Sequence, residues 1–153
     1  MNLLVTIYQS ALYTLNFKDP DMTVRLEMWV IDDYGFMGFG NPEALGMLLL
    51  KEDVALRGML KDILHPEADA VAIIKKSVWD IATSEEIEII VSHEAAHFYL
   101  GHKSQLTDAY SQKLHDEREK QVDDLLGEEA HVIMSLFSAR YIMLKTPYAK
   151  LER

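Results

Sequence analysis

The 153-residue chain contains no cysteine. Disulfides, thiolate metal sites and a cysteine nucleophile are therefore excluded, and a reducing, cytoplasmic setting is expected. Glycine and proline are sparse, at 7 and 4 residues, and no low-complexity tract or internal repeat occurs, which argues against linker-rich or fibrous architectures. Positive charge is also short, with 15 Lys and Arg against 25 Asp and Glu and a formal net charge of −10. A protein that grips phosphates needs the reverse balance, so direct binding to nucleic acid or to an anionic membrane surface is not expected. The longest apolar run, Leu45 to Leu50, is too short to span a bilayer. The first residues, Met1 to Tyr8, carry no basic n-region or small-residue cleavage site, so no signal peptide is expected. What remains is an ordinary globular profile, 49% hydrophobic and 26% charged, of a size that suits one domain over residues 1–153.

Residues 3–17 carry Leu4, Tyr8, Leu12 and Leu15 near helical spacing and are read as a helix. Met22 to Ile31 alternates, with Val24, Leu26, Met28 and Val30 on one face and Thr23, Arg25, Glu27 and Trp29 on the other, which predicts a half-buried strand. Asn41-Pro42 resembles a helix start, and helix is expected from there to about Leu64, before His65-Pro66. Ala70 to Trp79 reads as a second strand, whose Lys75 and Lys76 suit an exposed edge. Thr83-Ser84-Glu85-Glu86 is a capping box that opens a helix to about Leu100, with Gly101 as its C′ residue. Further helix is expected from Ser111 to Leu126 and, past Gly127, to about Met143. Strands that come early, followed by helices, define an α+β class.

The chemistry concentrates in His93-Glu94-Ala95-Ala96-His97 within the capped helix. His93 and His97 are one turn apart and leave the same face, so two neutral imidazoles can share one Zn²⁺. Glu94, beside the pair rather than in line with it, suits a general base acting on water. A catalytic zinc needs a third protein ligand. Asp116 to Asp123 supplies acids: Glu119 could bind the metal, Glu117 is its nearest rival and Glu128 a weaker one. Asp123, i+4 from Glu119, could reach back to the ring of a ligand histidine and fix its tautomer. Candidates for transition-state or substrate contacts are His102, Tyr110, His115 and His131.

The run from His93 to His102, ending in Gly101-His102, followed by Glu119-Lys120-Gln121-Val122-Asp123, resembles the ImmA/IrrE-type metallopeptidases within the gluzincin group. The likeness covers roughly residues 70–130. Val122 stands where that family usually has alanine. The resemblance implies a minimal zincin-like domain, helix-rich with a small, mostly antiparallel sheet. It implies one zinc per chain held by His93, His97 and Glu119, with Glu94 as base. The expected substrate is a protein or peptide, including a regulatory protein. It would lie along the edge strand before the motif helix, beside Ala72, Ile74, Lys75 and Lys76. No helix-turn-helix is evident, so a link to transcription would run through a protein substrate.

Two other readings compete. Glu94-x-x-His97 and Glu128-x-x-His131 repeat the unit of di-iron carboxylate bundles, but Glu119 and Glu128 are too close in sequence for separate helices and His93 is left without a role. A zincin scaffold could also serve as a binding or regulatory domain with latent activity.

Overall fold

A computed structural model describes residues 6–17, 23–37, 44–51, 64–102 and 112–145. It is an α+β fold. The strands are β1 (Ile7–Asn16), β2 (Thr23–Ile31), β3 (Gly46–Leu50) and β4 (Ala70–Lys75). The helices are α1 (Asp33–Met37), α2 (Lys76–Ile81), α3 (Ser84–Tyr99), α4 (Gln112–Leu126) and α5 (Glu128–Lys145). The sheet runs β1-β2-β4-β3. It is mixed: β1 and β3 pair antiparallel to their neighbours, and β2 pairs parallel to β4. Among the described residues no helix is long and apolar enough to cross a membrane.

β1 is largely exposed, while along β2, β4 and β3 the sheet is covered on both faces. On one, Leu26, Met28, Val30, Leu48, Ala72 and Ile74 meet Ile87, Ile90, Val91 and Ala95 of α3 and Phe137 and Tyr141 of α5. On the other, Trp29, Ile31, Phe36, Met47, Leu49, Val71 and Ile73 form a second core. β2 is thus buried through both faces rather than half-buried, and Glu27 is stabilised there by accepting from Trp29 Nε1 at 2.7 Å and from the His65 backbone N–H at 3.2 Å.

Three expectations are corrected. Residues 7–16 form a strand, not a helix, because pairing along the whole of β2 outweighs the loose helical spacing; Tyr13, Leu15 and Phe17, at period two, are the side chains that pack on the core. Residues 46–50 form a strand where helix was expected; a short apolar run buried on both sides carries no period that tells strand from helix. The expected strand at 70–79 ends at Lys75, where α2 begins, and it is not an edge: β4 lies between β2 and β3, and Lys75 is buried at 4% exposure. Residues 52–63 of the expected helix lie outside the described residues.

The capping box forms as expected. The Thr83 side chain accepts from the Glu86 backbone N–H, and the Glu86 carboxylate accepts from the Thr83 N–H at 2.9 Å. The same carboxylate receives both guanidinium nitrogens of Arg140, at 2.6 and 2.9 Å, which ties the start of α3 to α5. Gly127, with φ of 96°, adopts the left-handed backbone that lets α4 turn into α5.

The Arg140 hydrogen bond, aided by Thr83, holds the Glu86 carboxyl below its ordinary value of 4.5 despite burial. A depressed folded value contributes stability above about pH 4.5 that is lost as pH falls through the folded value. Glu86→Gln is therefore expected to lose less stability on acidification than the wild type. Urea unfolding followed from about pH 7 to about pH 3 checks this; parallel acid limbs would contradict it.

Candidate metal centre

α3 carries the motif against the sheet. Ile87, Ile90, Val91 and Ala95 pack into the core, and His93, Glu94 and His97 are also buried, with the two histidines meeting Glu119 of α4. α4 packs through Val122, its buried residue, and brings Glu119 beside the two rings.

The spacings are those of a ligand set. His93 Nε2 and His97 Nε2 are 3.2 Å apart. Glu119 Oε2 is 2.9 Å from His93 Nε2, and its Oε1 is 3.4 Å from His97 Nε2. Two ligand atoms about 2.0–2.1 Å from a tetrahedral zinc are separated by about 3.3 Å, and the three observed distances bracket that value. His93, His97 and Glu119 could thus hold a metal ion, their donor atoms all lying within 4.8 Å of one another. Glu119, rather than Glu117 or Glu128, is the acid brought to the pair.

Electrostatics reinforce the grouping. Burial pulls the His93 ring down, but the Glu119 hydrogen bond and the charges of Glu94, Glu119 and Asp123 outweigh it and push the ring up to about 9. Burial likewise raises Glu119, but bonds to His93 and His97 and their charges prevail and hold it well below the usual carboxylate range. Both shifts have the same sense: the charged forms of His93 and Glu119 favour one another at 2.9 Å. The Glu94 carboxyl is pushed up, chiefly by burial, with the His93 and His97 charges opposing. Its Oε2 would lie 3.7 Å from a Cβ built on Gly46, the residue that opens β3, so the start of β3 passes directly over Glu94.

The remaining predicted residues take other places. The Asp123 carboxylate is 3.2 Å from His131 Nδ1, and it acts on His93 through its charge. His131 itself is more than half exposed. His115 Nε2 is 4.0 Å from Glu119 Oε1, at the rim. Tyr110 lies outside the described residues. His102 stands behind His97: their Nδ1 atoms are 2.8 Å apart, and His102 Nε2 is 2.6 Å from Gln121 Oε1. Burial is the main influence holding the His102 ring down.

Gln121 escaped the sequence reading. The signal that could have found it is Gly101. With φ of 78°, Gly101 closes α3 in a Schellman turn, its N–H donating to Phe98 O at 3.0 Å and the His102 N–H donating to His97 O at 2.9 Å. A C″ residue in such a turn folds back onto C3, which here is the second motif histidine.

No known protein family, curated protein or solved structure matches the chain.

A raised folded value on His93 has two consequences. In the metal-free protein its contribution to stability is complete below about pH 6.5 and lost as pH rises through about 9. A metal must also displace that proton. Apparent zinc affinity is therefore expected to climb from pH 6.5 to about 9, with proton release. Calorimetric titration in buffers of different ionisation enthalpy reads this directly; flat affinity without proton release would contradict it.

Proposed function

We propose that the chain is a zinc-dependent peptidase of minimal zincin-like build, acting on a protein or peptide, in keeping with its resemblance to the ImmA/IrrE-type enzymes. The observation that carries this reading is the set of three donor atoms at spacings of 3.2, 2.9 and 3.4 Å, with a buried carboxylate next to the first of them. His93, His97 and Glu119 are the ligands. Two neutral nitrogens and one carboxylate form a donor set that suits zinc and leaves a fourth position for substrate. Zinc bound there would supply Lewis acidity toward a carbonyl oxygen and lower the pKa of water.

The residues of the chain supply the rest. Glu94, buried and raised above its ordinary value, is placed to take a proton from the attacking water and pass it to the departing amine nitrogen. Substitution of the acid leaves that proton without a carrier. The strand beside the site is β3 rather than β4. β3 ends the sheet order, packs against α3 and begins over Glu94, so an extended peptide would lie along it. His115, at the rim of Glu119, is the nearest candidate to meet the carbonyl oxygen.

No observation favours the di-iron arrangement. Glu128 is exposed in the first turn of α5, His131 is engaged with Asp123, and the metal-competent group among the described residues is the His93-His97-Glu119 set.

Glu94→Gln is expected to retain zinc while hydrolysis falls by about 10²–10⁴-fold. Glu119→Ala is expected to lose tight zinc binding as well. The check is cleavage of a proteome-derived peptide library, read as new N-termini by mass spectrometry, beside metal content measured on the same samples. Equal cleavage by wild type and Glu94→Gln would overturn the peptidase assignment.

A further inference from the structure

We propose that Gln121, acting through His102, fixes which nitrogen of His97 carries its proton and therefore which nitrogen is free for a metal. This rests on the metal-centre reading above and adds two positioning residues to it. The three side chains form one unbranched line: His97 Nδ1 to His102 Nδ1 at 2.8 Å, then His102 Nε2 to Gln121 Oε1 at 2.6 Å. Each neutral ring has one donor and one acceptor nitrogen, so such a line has only two proton orders.

In the first order, His97 Nδ1–H donates to His102 Nδ1, and His102 Nε2–H donates to the Gln121 carbonyl oxygen. His97 then presents an unprotonated Nε2 on the side where His93 and Glu119 gather. In the second order every proton reverses: the Gln121 amide N–H donates to His102, His102 donates to His97, and His97 Nε2 is capped by hydrogen. Only the first order leaves a ligand. The Gln121 side chain turns its carbonyl oxygen, not its amide nitrogen, toward His102, and an oxygen can only accept, so the seating of the amide matches the first order. The Schellman turn at Gly101 holds the middle of the line by seating the His102 backbone on His97 O at 2.9 Å. Metal-ligating histidines usually hand this second nitrogen to a carboxylate or a backbone carbonyl. Here a second histidine is interposed, and the decision sits on α4, the helix that also carries Glu119.

The test uses the full chain and zinc alone as the probe. Zinc dissociation constants are measured by competition with a chromophoric chelator for wild type, Gln121→Leu, Gln121→Glu, His102→Phe and the two double variants. Two-bond ¹H–¹⁵N spectra of the metal-free wild type read the ring protons. Gln121→Leu is expected to weaken zinc by about 10–100-fold. Gln121→Glu, which can only accept, is expected to bind as tightly as wild type or tighter. Neither substitution at 121 is expected to matter once His102 is Phe, which separates a relay from a plain charge effect. The spectra of the metal-free protein are expected to show a proton on His97 Nδ1, whether or not Nε2 also carries one toward Glu119, and Nε2–H on His102. Wild-type affinity in Gln121→Leu, full effects surviving in the His102→Phe background, or the reversed ring protons would each overturn the relay. If wild type takes up no zinc, the metal centre fails, and the metal-free spectra still decide the proton order.

Discussion

The structure turns on the confinement of three lone-pair donors in one buried space between two helices. His93 Nε2, His97 Nε2 and the Glu119 carboxylate all lie within hydrogen-bond or ion-pair reach of one another. Two imidazoles and a carboxylate do not gather out of water without a common positive charge to bind them. In the metal-free chain the raised His93 ring, beside a Glu119 carboxylate held low, supplies a charge of that kind; a divalent ion could serve the same three atoms at once. The grouping is thus present in the metal-free chain, at spacings that could hold a metal ion.

Much of the fold works to hold that space. Strands β2, β4 and β3 are buried through both faces, so α3 rests on a surface that does not yield. The start of α3 is fixed twice, by the capping box and by the Arg140 fork on Glu86. Its end is fixed by the turn at Gly101, which returns His102 to the ring of His97. α4 then brings both Glu119 and Gln121 on one helix, with Asp123 four residues on from Glu119 and Leu125 four residues on from Gln121. His93, His97 and Glu119 and the groups behind them are set by backbone hydrogen bonds and helix packing.

The sequence revealed the site better than the scaffold. The capping box and the C′ glycine are local patterns of fixed offset and form as read, and His93 and His97 gather with Glu119, one of the acids weighed, into a group that could hold a metal ion. The errors share a cause: strand pairing is non-local. Nothing within residues 7–16 announces that β2 lies alongside, and nothing within Gly46–Leu50 says that cores lie on both sides. Lys75 and Lys76 looked like edge protection, yet Lys75 ends an interior strand and Lys76 begins a helix. Gln121 was missed because a neutral amide carries no motif; only the ring it touches gives it meaning.

Zinc K-edge absorption of the chain loaded with one equivalent of zinc bears most directly on the whole account. It predicts a four-coordinate shell with two histidine nitrogens at about 2.0–2.1 Å and a carboxylate oxygen at about 2.0–2.2 Å, losing one nitrogen in His97→Ala. An all-oxygen shell, or a shell unchanged when His97 is removed, would contradict it.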